Sequence, residues 1–305
     1  MKPEDRIQHQ KIFYPELNAE IPFYQRYIGD ETELWLFGSG LGEYTMFLQM
    51  GDCFLQLMEE HDPAMGRIMM SLGKGESAFM AYQGDYNVSW VWGVSPDELA
   101  GYFDRLNVKP DLMLCAWDIT RERAEEYGIP SLPMFSGVNP RIFRPLGLER
   151  RGLGYAGLDN KGKSQKSIVL HPAMKYGDFE WISKENAPML SIDEYNGWLN
   201  SKQIVFGMVA DNRHNTAYVP TRLIETLASG TPLITYKIKD LEKIMGLSYP
   251  YQTTSAEETE DLINDILNNY DTVSKRFEML SIEVREKHSY KVKLKRVLDK
   301  LETLK

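Results

Sequence analysis

Cysteine and long apolar runs are scarce in this chain of 305 residues. Its two cysteines, Cys53 and Cys115, form no C-x-x-C pair and have no histidine-rich partner spacing, so neither a disulfide framework nor a zinc site is predicted. The sequence has no run of about 18 apolar residues, which excludes an ordinary transmembrane helix. The first residues, MKPEDRIQHQ, lack a basic-then-apolar leader, and we expect a cytoplasmic protein.

Positive charge is scarce in the first half of the chain. Residues 1–150 contain 13 Lys and Arg against 23 Asp and Glu, a net charge of −10, whereas the remainder contains 22 and 21, a net charge of +1. So acidic a half repels polyphosphate unless a local basic patch overcomes the repulsion. Basic residues do gather around the end of this half, at Arg141, Arg144, Arg150, Arg151, Lys161, Lys163 and Lys166. They can line a cleft between two domains, or they can be a solvated linker together with ligands for phosphate.

Strand and helix signals alternate along the chain, which is typical of a doubly wound α/β fold. ELWLFGSG is predicted to be the first strand, and it runs into a glycine-rich turn that contains Gly40. A helix is predicted to open near Glu43. The glycine-rich turn either lets a ligand approach the backbone or is an ordinary tight turn. Further strands are predicted at GRIMMSL, SWVWGV, DLMLCAW and PSLPMF.

The most specific segment is YVPTRLIETLASGTPLITY, residues 218–236. Pro220 suits the first position of a helix and Gly230 suits the left-handed residue that ends one, with about three turns between them. The stretch from Thr231 to Tyr236 is predicted to be a short buried strand. The expected core face of the helix consists of Leu223, Ile224, Leu227 and Ala228.

Two charged residues of that helix, Arg222 and Glu225, are three positions apart and therefore project side by side. The positive N-terminus of a helix is a natural seat for a diphosphate, which Arg222 can grip with two hydrogen bonds. Glu225, one turn deeper, can accept hydrogen bonds from two ribose hydroxyls. A surface ion pair without a ligand has the same spacing.

This segment resembles the donor-binding element of GT-B glycosyltransferases, in which a Glu on the helix holds the ribose of a UDP-sugar and the sequence continues A-x-G-x-P, here LASGTP. TRLIE is similar to the corresponding helix of phage DNA beta-glucosyltransferases. Residues 130–300 resemble spore-maturation-type (group 1) glycosyltransferases about as well. SGVNPRIFRP, residues 136–145, resembles the phrase that ends the first GT-B domain.

The resemblance implies an α/β GT-B fold, with two Rossmann-like doubly wound domains facing an interdomain cleft. Residues 1–146 are then the N-terminal, acceptor-side domain and residues 147–285 the nucleotide-sugar-binding domain. Residues 286–305 form a C-terminal helix that crosses back to the first domain. The apolar residues available for that packing are Val292, Leu294, Val297, Leu298 and Leu301.

For the donor, the resemblance implies a UDP-sugar, with UDP-glucose favoured, and no obligatory divalent metal, although one is compatible with the sequence. Candidate ligands beside Arg222 and Glu225 are Thr221, Tyr218, His214, Gly40, Lys161, Lys163 and Lys166. The three lysines belong to LDNKGKSQK, which can hold phosphate oxygens or be a surface loop. Many retaining members carry a Glu eight residues before the ribose Glu, where this chain has Ala217, and its absence favours an inverting enzyme.

An inverting transfer needs a base near the acceptor hydroxyl. The candidates follow predicted strands of the first domain: Glu43, Asp97 and Asp118. The acceptor that the phage resemblance implies is a 5-hydroxymethylated pyrimidine in double-stranded DNA, in the host cytoplasm, which the enzyme would flip out of the stack. The alternatives are a protein or cell-surface glycan as acceptor, and a catalytically silent nucleotide-binding module.

Overall fold

The computed structural model describes residues 7–14, 19–38, 41–72, 84–91, 101–102, 108–116, 118–157, 163–183, 190–209 and 218–304. The chain divides into two compact units, one formed by Met1–Asn139 with Tyr290–Lys305 and the other by Pro140–Ser289. The first division falls inside the SGVNPRIFRP stretch. The roles of the two domains, acceptor side and donor side, stay predictions.

The described elements alternate between strands and helices along most of the chain. The strands are β1 (Ile7–Tyr14), β2 (Ala19–Ile28), β3 (Thr32–Gly38), β4 (Gly66–Leu72), β5 (Tyr86–Val91), β6 (Leu112–Cys115), β7 (Ser131–Pro133), β8 (Leu153–Ala156), β9 (Phe179–Ile182), β10 (Ile204–Gly207), β11 (Leu233–Tyr236) and β12 (Gln252–Thr253). The helices are α1 (Leu41–Glu60), α2 (Asp118–Glu126), α3 (Lys163–Ala173), α4 (Ile192–Ser201), α5 (Thr221–Ala228), α6 (Leu241–Met245), α7 (Ala256–Asn268), α8 (Tyr270–Lys287) and α9 (Tyr290–Glu302).

The first unit contains a seven-stranded sheet whose strands lie in chain order, β1 to β7. β1, β2 and β3 pair antiparallel, whereas β3 to β7 pair parallel. The prediction that ELWLFGSG forms the first strand was therefore wrong, because two strands precede it. Both extra strands join the edge of the sheet by hairpin pairing, which needs no crossover helix between neighbours.

Helices cover both faces of the parallel part of this sheet. Buried residues of α1 recur at helical spacing and pack with alternate residues of β3 and β4 and with the last helix, α9: Met46, Phe47, Met50, Phe54, Leu34, Leu36, Ile68, Met70, Leu294, Val297, Leu298 and Leu301. Val292, expected in that packing, is 40% exposed. On the other face, Met113 and Cys115 pack with Ala124 of α2.

One glycine sets the contact between α1 and β2. A Cβ at Gly51 would lie 1.8 Å from Cζ of Tyr27, so this position in the middle of a helix leaves room for the tyrosine ring. The Tyr27 hydroxyl then donates to the carbonyl of Phe47 at 3.0 Å. The helix–sheet spacing of the unit depends on this close approach.

The second unit contains a five-stranded, wholly parallel sheet in the order β12-β11-β10-β8-β9. α3 packs with α7, and α5 packs with α8. Side chains cap two of its helices: Ser191 and Glu194 form a reciprocal capping box at α4, and Ser255 accepts from the Glu258 N–H at α7. In the part of the chain that the structure describes, no helix is both long and apolar enough to cross a bilayer.

Strands β8 and β10 are neighbours in this second sheet, and after them the chain continues in opposite directions. From β8 it passes through α3 to β9 on one side, and from β10 through α5 to β11 on the other. The crevice outside the carboxyl ends of such a strand pair is where open α/β sheets bind ligands. We call this place the switch point of the second sheet, flanked by the residues that follow β8 and β10.

Candidate functional site

Helix α5 follows β10, one of the two strands of the switch point, and its local structure agrees with the sequence pattern. It spans eight residues, about two turns and not the three expected, because Pro220 keeps extended backbone (φ −69°, ψ 144°) and the helix starts at Thr221. It ends where Gly230 takes a left-handed conformation, at φ +68°. The strand β11 follows as predicted. All four predicted core residues of the helix are buried: Leu223, Ile224, Leu227 and Ala228.

Arg222 lies in the first turn of α5 and is partly buried. Its guanidinium carbon lies 5.8 Å from the centre of the Tyr155 ring on β8. Its Nη1 lies 2.6 Å from where a Cβ of Gly157 would stand. Because Gly157 directly follows β8, the guanidinium lies against the backbone at the carboxyl end of that strand. A side chain at position 157 would displace it.

The charge of Arg222 is stabilised by its neighbours. Burial acts to lower its pKa, but the nearby Tyr195 and Tyr155 hydroxyls favour the charged form, and the net shift of the pKa is upward. Glu225 adds to this effect. Burial in turn raises the pKa of Tyr195, which the Arg222 cation opposes. The site therefore holds a permanent positive charge, with a neutral tyrosine hydroxyl next to it.

Glu225 lies in the second turn of α5 and is only 7% exposed. Its carboxylate is close enough to Arg222 and Tyr195 to influence the pKa of both. The alternative of a solvent-exposed surface ion pair does not fit, because Glu225 is buried and Arg222 partly so. A buried carboxylate needs hydrogen-bond donors or a cation beside it.

The structure describes only some of the other residues predicted to bind the sugar donor. Tyr218 is 6% exposed just before α5, and Thr221 is partly buried at its first position. Lys166 on α3 has its Nζ 4.8 Å from the centre of the Trp181 ring. Lys163 opens α3, but nothing is described of its side chain. Three further candidates lie outside the described residues: Gly40, Lys161 and His214.

Trp181, whose ring contacts the Lys166 ammonium, also contacts the end of β8. Its Nε1 donates to the carbonyl of Gly157 at 2.9 Å, and its ring meets the Tyr155 ring edge to face, with centroids 5.5 Å apart. Lys166, Trp181, Tyr155, Gly157 and Arg222 therefore form one connected group. It brings two cations to the carboxyl edge of the second sheet.

The predicted catalytic carboxylates are less well defined by the structure. Asp118 opens α2, which follows β6; its side chain is 72% exposed, and its Oδ1 lies 4.0 Å from Nη2 of Arg121. An acidic residue in the first turn also stabilises a helix without any catalytic role. Glu43 lies in α1, where its side chain is outside the described part, and Asp97 falls entirely outside the described residues.

Sequence reasoning missed the residues that surround Arg222. Tyr195 comes from α4, and nothing in IDEYNGWLNS indicates a ligand-site residue. Tyr155 and Gly157 belong to GLGYAG, which the sequence places at the start of the second domain without a role. Gln165, in the first turn of α3, lies between lysines that are the more evident phosphate ligands, and no motif marks it. These residues meet Arg222 or the switch point only through the sheet order.

Three solved structures show the fold. The chain is similar to sucrose-phosphate synthase from Thermosynechococcus elongatus, with TM-score 0.53 and 9% identity over 86% of this chain and 80% of that one. It is also similar to a glycosyltransferase from Rickettsia africae ESF-5, with TM-score 0.53 and 11% identity over 86% of this chain and 82% of that one. The third structure is a variant of S. aureus TarM in complex with fondaparinux, alpha-GlcNAc-glycerol and UDP. Its TM-score is 0.50, with 12% identity over 99% of this chain and 70% of that one.

At these low identities the similarity establishes architecture alone. The chain has the α/β GT-B fold, with a mixed, mainly parallel sheet in the first unit and a parallel sheet in the second, and the fold class predicted from the sequence is confirmed. No family model matches the sequence, and no curated protein sequence matches it. Function must therefore be argued from the site itself.

Proposed function

We propose that this chain is a glycosyltransferase that moves a sugar, glucose first among candidates, from a UDP-sugar to a hydroxyl group. The observation that carries the proposal is the position of Arg222, held against Gly157 at the carboxyl end of β8, with the buried Glu225 one turn deeper on the same helix. A fixed cation and a buried carboxylate at the switch point of a parallel sheet suit a nucleoside diphosphate.

In this proposal Arg222 binds the diphosphate and Glu225 the ribose. The planar guanidinium offers parallel N–H donors that match two phosphate oxygens. Lys166, whose Nζ lies near the Trp181 ring, adds a second cation at the same edge. The TarM variant structure contains UDP, which supports uridine diphosphate as the first nucleotide to test.

The proposed transfer is inverting. The acceptor oxygen attacks the anomeric carbon, the bond from that carbon to the diphosphate oxygen breaks, and the acceptor proton passes to a carboxylate. Arg222 stabilises the charge that develops on the departing diphosphate. The base is proposed among Glu43, Asp97 and Asp118.

For the acceptor, we propose a 5-hydroxymethylated pyrimidine in DNA as the first compound to test. It supplies a primary hydroxyl that is reachable once the base leaves the stack. The net charge of −10 over residues 1–150 opposes DNA binding to that half. This acceptor is therefore the weaker part of the proposal, and the donor part does not depend on it.

The test is mass spectrometry of nucleosides after incubation with UDP-glucose and duplex DNA that contains hydroxymethylcytosine. Unmodified duplex DNA is the acceptor control, and the Arg222→Ala variant is the enzyme control. A hexose on the hydroxymethylated base alone, lost in the variant, would support donor and acceptor together. Slow release of UDP without a DNA product would keep the donor and exclude this acceptor. With neither product nor release, and no binding of UDP, the proposal would be wrong.

A further inference from the structure

Gln165, the third residue of α3, carries a buried hydrogen-bond donor that no described residue accepts. The residue is 1% exposed. Its Oε1 accepts a hydrogen bond from the backbone N–H of Val209 at 3.1 Å, whereas its Nε2 has no partner among the described residues. The bond from Val209 fixes the orientation of the amide, because an NH₂ group cannot accept from that N–H.

The location of this amide matters as much as its missing partner. α3 follows β8 and Val209 follows β10, so the hydrogen bond between Val209 and Gln165 links the segments that follow these two neighbouring strands, at the switch point. A buried N–H₂ group without an acceptor is uncommon in a folded protein, and a missing ligand is one explanation for such a group. Ligands of open parallel sheets bind at this position.

The charge around Gln165 indicates the kind of ligand. The first turn of α3 contains no acidic residue, and the N-terminus of an 11-residue helix attracts anions. Arg222 brings its Nη1 to the residue that ends β8, the strand that leads into α3. An N–H donor, a helix N-terminus and a guanidinium around one strand pair all favour an anionic ligand that accepts hydrogen bonds.

We propose that Gln165 is a binding residue of the donor site, and that its Nε2 donates a hydrogen bond to a diphosphate oxygen of the nucleotide-sugar. This inference rests on the proposed function and specifies which part of the donor Gln165 contacts. Oε1 keeps the amide in place through Val209, so the donor is already oriented when the ligand arrives. Little conformational entropy is then lost at Gln165 on binding.

The test compares Gln165→Glu with the wild type by isothermal titration calorimetry, using UDP, uridine and inorganic pyrophosphate. Glutamate keeps an oxygen for the Val209 N–H but replaces the free donor with a negatively charged acceptor. We expect the affinity for UDP and for pyrophosphate to fall by roughly 10- to 100-fold, since a hydrogen bond to a charged group is lost. Uridine, which has no phosphate, should bind both proteins equally.

Gln252→Glu is the matched control. The Gln252 amide is fully used within the protein, because its Oε1 accepts from the Ile238 N–H at 3.0 Å and its Nε2 donates to the Tyr249 carbonyl at 3.2 Å. This control should leave UDP affinity unchanged and lower the melting temperature.

The outcomes separate this inference from the proposed function. Unchanged UDP affinity in Gln165→Glu, or an equal loss for uridine, would overturn the inference while leaving the glycosyltransferase proposal standing. Pyrophosphate binding that depends on Gln165, in a protein that does not bind UDP, would support the anion site and contradict the glycosyltransferase. A wild type that binds none of the three would contradict both. Gln165→Met, which removes the donor without adding charge, gives the same comparison if the glutamate variant does not fold.

Discussion

Each unit contains a cation that is withdrawn from solvent, Arg222 partly and Lys293 almost fully, and the pKa values of the two cations are shifted in opposite directions. In the second unit, Arg222 lies next to tyrosine hydroxyls and a carboxylate, and despite burial its pKa is shifted upward. In the first unit, Lys293 on α9 is 5% exposed, and its Nζ lies 3.6 Å from the centre of the Phe135 ring. Burial, with a smaller contribution from Arg296, lowers the pKa of Lys293 to about 7.

The difference shows what a buried charge needs. Arg222 has polar partners around it, so its charge persists at every physiological pH and can be used to bind an anion. Lys293 forms no ion pair with a carboxylate among the described residues, and an aromatic ring compensates only part of the lost hydration. One cation therefore keeps its charge, whereas the other reduces the stability of the fold.

The largest expected effect on UDP binding comes from removing the cation of the second unit. Arg222→Ala should weaken UDP binding on the order of 100-fold, because up to two charge-assisted hydrogen bonds to phosphate are lost. Isothermal titration calorimetry measures this affinity. Arg276→Ala is the matched control, since that guanidinium also lies over a tyrosine ring, 5.5 Å from the centre of Tyr251. Equal affinity in the wild type and Arg222→Ala would remove Arg222 from the donor site.

Replacing the cation of the first unit should have the opposite consequence, a gain in stability. Lys293→Met keeps the length of the side chain and removes the charge, and we expect the free energy of unfolding to rise on the order of 2–4 kcal/mol at or below about pH 7. Urea unfolding at about pH 6 and about pH 9.5 measures the difference.

The pH dependence of this gain follows from the lowered pKa. Between about pH 7 and the ordinary lysine value near 10.4, the unfolded chain binds more protons than the folded protein. The stability contributed by this group in the wild type therefore rises with pH across that window, and the advantage of the variant shrinks. Lys295→Met, at an exposed lysine on the same helix, should show no such pH dependence. A constant gain at both pH values would show that Lys293 is not a destabilising buried charge.

A smaller effect is expected from Gly157→Ala, which tests how closely the backbone supports Arg222. The new Cβ would stand 2.6 Å from Nη1 of Arg222 and 2.5 Å from the Tyr155 hydroxyl, so the guanidinium must move. We expect UDP affinity to fall about 10-fold, since small displacements weaken directed hydrogen bonds. Gly177→Ala, where a Cβ meets nothing within 4 Å, should leave UDP affinity unchanged. Unchanged affinity in Gly157→Ala would contradict the placement of Arg222 at the ligand.

The smallest effect is expected from Tyr195→Phe. This change removes the hydroxyl that most favours the charged form of Arg222 but leaves the ring in place. A loss of UDP affinity of about 3-fold, less than one neutral hydrogen bond, is expected by calorimetry. Tyr176→Phe removes a hydroxyl that bonds Asn264 on the surface, and serves as control. An effect as large as that of Arg222→Ala would instead place Tyr195 in direct contact with the ligand.

Much of the second unit could be predicted from short-range pattern. Gly230 readily adopts the left-handed conformation that ends the helix, and the apolar spacing from Leu223 to Ala228 determines the buried face of α5. The helix and the strand after it therefore follow from local rules. The two strands before β3 were missed, because residues 7–28 contain no glycine and Pro22, which lies inside β2, argues against a strand. The domain assignments and the catalytic carboxylates stay predictions.

The sequence by itself determined the fold class, the helix with Arg222 and Glu225, and the uneven charge of the two halves, because each depends on residues close together in the chain. Tertiary structure alone decided that Tyr155, Gly157 and Tyr195 surround Arg222 and that Gln165 meets Val209. Those contacts depend on the order β8 next to β10, which is a long-range pairing that no local pattern encodes. The same reason explains why the two buried cations differ, since burial and partners arise only when distant segments pack together.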